Sequence, residues 1–222
     1  MRALFSRVIA LCFVGSAVIS SVAVAANDEI NTQDPFTMIK QVANKTFDRF
    51  KADRTLIDND LSHLKVIVNE ELMPYVDYKY AAYKVMGQYL RDTTPDQRDR
   101  FVEAFEGYLV ATYAQALTEY TNQAVEFDPA SDFKDEKIVE VNVQIIEKGR
   151  PPIKVQFKVR RLKDNTWKAF DLVAEGVSLL ASKQSEISNL IRQQGIEAVI
   201  SMLNDKTKQK IDRQPAKEAT AA

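Results

Sequence analysis

Cysteine, histidine and tryptophan each occur only once in the 222 residues, as Cys12, His63 and Trp167. A single thiol excludes a disulfide framework within the chain, and one histidine without neighbouring cysteines excludes the usual zinc ligand sets. Glycine is scarce too, with six in all. None belongs to a phosphate-cradling loop or a strand-to-helix nucleophile elbow, so nucleotide chemistry and the common hydrolase chemistry have no motif to rest on. Neither sign of charge dominates: 30 basic residues face 31 acidic ones, for a net charge of -1. Such a balance excludes a dedicated polyanion binder, and nucleic acid is not an expected partner. Long apolar runs are also missing. The one from Val8 to Ile19 is too short to span a bilayer as a stable helix.

That run belongs to a leader. Arg2 and Arg7 precede it and Ala23-Val24-Ala25 closes it, the three parts of an export signal, so residues 1–25 read as a signal peptide. Cys12 lies inside the apolar stretch behind Leu11 and does not fit a lipidation site. Residues 26–222 then carry 28 basic and 31 acidic side chains and no cysteine. An exported, soluble chain of this kind is held by its hydrophobic core alone, and the length suffices for one domain.

Apolar periodicity organises that domain. Phe36, Ile39, Ala43, Phe47 and Phe50 fall on one helical face behind Asp34-Pro35. Leu61, Leu64, Val68 and Leu72 predict a second helix over 59–73, stopped by Pro74. A third covers Tyr78 to Tyr89. Thr94-Pro95-Asp96-Gln97 opens the longest helix with the elements of a capping box. After Asn122 the period changes to two. Val139, Val141, Val143 and Ile145, then Ile153, Val155, Phe157 and Val159, alternate with polar residues around the Gly149-Arg150-Pro151-Pro152 turn. A third strand runs from Thr166 to Ala174, with a short one at Gln123–Asp128 preceding the set. Helical pattern resumes at Val177, breaks at Gly195 and recurs to Leu203, and residues 206–222 read as a polar, flexible tail. The expectation is an α+β single domain (26–205) with a twisted antiparallel sheet of about four strands wrapped by helices.

Candidate chemistry is thin. His63 has no supporting ligands and reads as structural; Asp58-Asn59-Asp60 lacks the glycine of a calcium loop; Glu70 and Glu71 are helix neighbours that cannot face one site. No catalytic residue, metal or cofactor is expected. All eight tyrosines fall between Tyr75 and Tyr120, either as core aromatics with hydroxyls at the rim or as the wall of a pocket.

Five segments in order resemble the MlaC family, also called the toluene-tolerance family: Lys45-Thr46-Phe47-Asp48-Arg49; Glu71-Leu72-Met73-Pro74-Tyr75-Val76 with Lys79-Tyr80; Gly87-Gln88-Tyr89; Gly149-Arg150-Pro151-Pro152; and Ala174-Glu175-Gly176-Val177-Ser178. The resemblance implies a cone similar to nuclear transport factor two (NTF2-like) with an apolar pocket. It implies a monomeric periplasmic carrier that binds a glycerophospholipid by its acyl chains. The carrier would shuttle this cargo between an outer-membrane lipoprotein–porin complex and the inner-membrane Mla ABC transporter with its substrate-binding subunit, maintaining outer-membrane lipid asymmetry.

On that reading the pocket wall takes Val141, Val143, Ile145, Val155, Phe157, Phe170 and Leu172 from the strands. From the helices it takes Met73, Val76, Tyr80, Val85, Met86, Phe105, Leu109, Tyr113, Val177 and Leu180. Arg150, Arg160 and Arg161 are candidates for partner docking. Two rival readings stay open: an isomerase or dehydratase on the same cone, with Asp48 or Asp77 near Tyr80 as its carboxylate, and a cargo-free periplasmic adaptor.

Overall fold

The computed structural model of the chain describes residues 29–120 and 123–213. The signal peptide expected at 1–25 lies outside the described residues. Helix α1 (Pro35–Ala52) starts where Asp34 accepts from the amides of Phe36 and Thr37, with Pro35 in the first turn, where its missing N–H costs nothing. A short α2 (Arg54–Asn59) follows, which the periodicity does not predict because only Ile57 of its apolar residues is buried. The helix expected over 59–73 is broken into α3 (His63–Ile67), a π turn (Val68–Leu72) and a 3-10 turn (Met73–Tyr75). Pro74 cannot continue an α-helical ladder, and the chain unwinds through wider and then tighter turns before it. The π turn carries a buried Glu71, which lies 3.1 Å from Lys45 Nζ and accepts from Arg49 Nη1 at 3.4 Å, so it is held against α1 by charge.

Helix α4 (Tyr78–Met86) ends at Gly87, whose φ of +55° favours glycine, and a 3-10 segment (Gly87–Asp92) leads to α5 (Pro95–Leu117). The Thr94–Gln97 capping box forms in full. Five strands then pair antiparallel in sequence order: β1 (Ala124–Phe127), β2 (Ile138–Ile146), β3 (Ile153–Arg161), β4 (Trp167–Ala174) and β5 (Val177–Ser178). Val177, expected to open a helix, instead pairs with Ala174, and α6 (Leu179–Gln194) begins behind the Ser178 cap. After Gly195 comes α7 (Ile196–Lys208).

The tail expected from 206 does not begin there. Lys65 Nζ donates to the carbonyls of Thr207 and Gln209, Gln115 exchanges hydrogen bonds with the backbone of Asp212, and Ile211 is buried against the helices.

Three apolar cores result. The first joins α4, α5, α6 and α7 around Phe101, Phe105, Met86 and Ile187. Gly107 permits the α5–α7 approach, since a Cβ there would meet the Thr207 methyl at 3.0 Å. The second lies between α1 and one face of the sheet, around Met38, Val141, Val159 and Trp167. The third gathers α3, the end of α1 and the second half of α5. Leu72 borders the second and third, and Leu109 the first and third. Among the described residues no helix is long and apolar enough to cross a membrane.

Candidate functional site

Strand alternation puts Val139, Val141, Val143 and Ile145 on one face of β2, with Glu140 and Asn142 exposed on the other. Along this apolar face coverage is lost only at the end next to the β2–β3 turn. Val139, Val141, Val143, Val155, Val159 and Trp167 are buried, Phe157, Leu172 and Ile145 are half-buried, and Ile153 at the far end is 46% exposed. The sheet is approached by α1, α4, α6 and the Met73–Tyr75 turn, whereas α5 packs chiefly on α7, α4 and α3. The longest helix therefore stands off from the strands.

Tyr113, on α5, packs beside the third core. Its hydroxyl pKa is pushed up to about 12, first by burial and then by the Asp171 carboxylate of β4 and by Tyr108. Yet the residue is only half-buried by its remaining surface, and its hydroxyl makes no hydrogen bond to any described residue. Leu109 and Leu117, one helical turn to either side, are half-buried apolar neighbours on the same face.

The residues expected to line a pocket divide into three groups. Val85, Met86 and Phe105 are sealed in the first core, Val141, Val143 and Val155 under α1 in the second, and Met73 in the third. These seven are ordinary packing. Val177 is 57% exposed and lines no interior. Val76, Tyr80, Leu109, Tyr113, Ile145, Phe157, Phe170, Leu172 and Leu180 are half-buried.

Phe170 is displaced from the expected face. A register shift pairs Val159 with Ala169 but Lys158 with Asp171, so Phe170 is the extra residue of a bulge. It turns to Tyr80 on α4, edge to face at 5.2 Å, leaving Ala169 and Leu172 facing inward. Period-two counting missed this, and it missed Leu72, Tyr75 and Phe127, which are half-buried beside the same face. Of the eight tyrosines, Tyr108 is buried and the other seven are half-buried.

The three arginines are not brought together. Arg150, in the β2–β3 turn, pairs with Glu147. Arg160 and Arg161 end β3, roughly 25 Å away at ~3.3 Å per residue. Arg160 donates to Asp77 Oδ2 at 2.5 Å and lies over the Tyr80 ring, and Arg161 donates to the carbonyls of Phe133 and Lys134 while stacking on Trp167. Both are internal fasteners, because carboxylate, carbonyl and ring partners within the chain already take their charge.

The carboxylates considered for an enzyme fare no better. Asp48 is exposed and Asp77 is tied to Arg160. The acidic group beside a deep tyrosine is Asp171, which caps α6 by accepting from Ser178 Oγ and Leu180 N.

Two surface depressions, of about 320 Å³ around Arg161 and Asn165 and about 200 Å³ around Gln115 and Lys206, share no residue with the expected wall. His63 Nε2 donates at 2.7 Å to the Asp53 carboxylate, which also accepts from Arg49. No group of three or more potential metal ligands occurs among the described residues.

Comparison with known proteins agrees with this architecture. The chain is 34% identical over 179 residues to the intermembrane phospholipid transport system binding protein MlaC of Haemophilus influenzae, covering 80% of this chain and 84% of that one. Toluene tolerance protein ttg2D of Pseudomonas putida is 25% identical over 167 residues, covering 75% of this chain and 77% of the relative. A phospholipid-binding protein from Ralstonia solanacearum, solved in complex with a phospholipid, shares the fold: the TM-score is 0.70 at 23% identity, covering 78% of this chain and 97% of that one. The family model for the MlaC protein matches residues 40–205, and the chain belongs to that family.

Proposed function

We propose that the protein is a periplasmic carrier that holds a diacyl phospholipid by its acyl chains in the interval between α5 and the sheet. The observation that carries this reading is the family match over residues 40–205, with an α5 that packs on helices rather than on the strands. The Haemophilus influenzae relative, named for intermembrane phospholipid transport, supports it. So does the physics of a soluble carrier. Exposing two chains of about thirty methylenes, at ~0.8 kcal/mol each, costs on the order of 24 kcal/mol. Moving them from a bilayer into an apolar interval exchanges one apolar surrounding for another, which leaves a net affinity small enough for handover. The carrier passes its cargo between the outer-membrane lipoprotein–porin complex and the substrate-binding subunit of the inner-membrane Mla ABC transporter, and no bond is made or broken.

The test is native mass spectrometry of protein gently purified from an exporting host. The expected result is a chain beginning at or near Ala26 with one phospholipid bound. Protein that is free of lipid in every preparation would overturn the carrier, and a retained leader would overturn the export reading.

A further inference from the structure

We propose that the end of the sheet formed by the β2–β3 and β4–β5 turns docks on an anionic lipid surface, with its aliphatic side chains in the bilayer interface and its lysines among the phosphates. The proposal goes beyond the carrier reading, since it concerns where the protein touches a bilayer and not what it holds.

Strand register brings the apolar residues of this end together. Val155, Ala174 and Val177 lie in one row across β3, β4 and β5, and Ile153 lies two residues beyond Val155 on the same face. The row ends in the open: Val177 is 57% exposed and Ile153 46%. Leu179, at the start of α6, is 43% exposed, and Pro151 and Pro152 are exposed beside Ile153. Three of the six large apolar side chains exposed among the described residues thus gather at one end, and a gathered patch marks a contact where scattered ones do not. The two turns are tied side by side, because Glu175 N donates to Lys154 O at 2.9 Å and Lys154 N to Glu175 Oε1 at 2.6 Å. Both project from the described protein, since a Cβ at Gly149 or Gly176 would meet no atom within 4 Å.

Charge decides the occupant. The turns and the start of β3 carry Lys148, Arg150 and Lys154 against Glu147 and Glu175. Both carboxylates are engaged, Glu147 by Arg150 at 3.0 Å and Glu175 by the Lys154 amide. Lys148 and Lys154 have no carboxylate partner among the described residues, so two unpaired ammoniums stand beside the aliphatic patch of a chain whose net charge is -1. Aliphatic groups with cations around them suit the interface of an anionic bilayer, which takes the methyls below its phosphates and the lysines among them. A second copy apposed across a two-fold axis would instead set these lysines against their equivalents.

The experiment is vesicle sedimentation of the exported chain, residues 26–222, at low salt. Vesicles of phosphatidylcholine alone are compared with vesicles of phosphatidylcholine mixed with phosphatidylglycerol. The protein should partition about 10-fold more strongly onto the anionic vesicles, and Lys148→Gln with Lys154→Gln should remove most of that excess. Ile153→Ser with Val177→Ser should weaken binding to the anionic vesicles by about 10-fold, with the melting temperature preserved. Leu56→Ser, which removes a 53% exposed side chain on α2, should change nothing. Protein that stays in the supernatant with both vesicles overturns the proposal, as do binding indifferent to phosphatidylglycerol and binding that survives both pairs of substitutions. Dimerisation abolished by Ile153→Ser with Val177→Ser would give the patch to a second copy and overturn it equally. None of these readouts depends on bound cargo, so the carrier reading stands or falls separately, by mass spectrometry.

Discussion

At the scale of single residues, the Tyr113 pKa of about 12, against an ordinary 10 for tyrosine, couples its proton to folding. The folded chain holds the proton more tightly than the unfolded one. The stability this gives is fully present below pH 10 and is lost as pH rises toward 12. Wild type should therefore lose about 1–2 kcal/mol more than Tyr113→Phe across that window, allowing for water reaching the ring; urea melts at a series of pH values measure the difference. Parallel curves for the two proteins would contradict it. Arg49 supports a second expectation. It donates to Asp53 at 2.6 Å and Glu70 at 3.0 Å and lies 3.4 Å from the buried Glu71. Arg49→Met leaves Glu71 with Lys45 alone and should cost about 1–3 kcal/mol in equilibrium unfolding. A cost under about 0.5 kcal/mol would mean that Lys45 suffices.

At the scale of elements, Gly107 lets α5 and α7 close together, and Thr207 stands where a methyl would go, both of its branch atoms 3.0 Å away. Alanine would favour the isolated helix but force the pair apart. Gly107→Ala should therefore destabilise by about 1 kcal/mol, as overpacking does, and Thr207→Ala, which removes both branch atoms, should make the same glycine substitution cost less in the same melts. The elements were largely legible beforehand because their signals are local: the Thr94–Gln97 box, the Asp34-Pro35 start and the alternation of β2 and β3 depend on residues within one turn or one strand. The rest was not. The bulge at Phe170 depends on how β4 seats against β3, and the contacts of Glu71 with Lys45 and Arg49 close across a gap of more than twenty positions. Apolar patterning marked Val143 and Phe157 alike as inward, yet the first is sealed under α1 and the second is half-covered. Period shows direction and says nothing of what occupies the space beyond.

At the scale of the whole molecule that distinction becomes a test. Val143→Glu buries a carboxylate in tight packing and should abolish cooperative unfolding or lower stability by several kcal/mol. Leu172→Glu places the same charge where packing is incomplete; the fold should survive and lipid loading should fall, read by melting together with lipid extraction. Collapse of both variants would make the interval ordinary core. Handover likewise belongs to the whole carrier: vesicles kept behind a dialysis membrane should exchange no lipid with it, because release into water meets the barrier of on the order of 24 kcal/mol.

The stretch that closes the helical half has a further consequence, for the timing of folding. Lys65 bonds the carbonyl of Thr207 across 142 positions, Gln115 that of Asp212 across 97, and Arg213 pairs with Asp58 across 155. Helices α3 and α5 are made early, but the surface they share with α7 and Ile211 has nothing to bury against until residues 196–213 arrive. Long-range closure of this kind slows folding. A chain that emerges in order stays loose along its helical half until the last of these contacts is supplied, and a loose chain is the form in which a polypeptide threads through a narrow export channel.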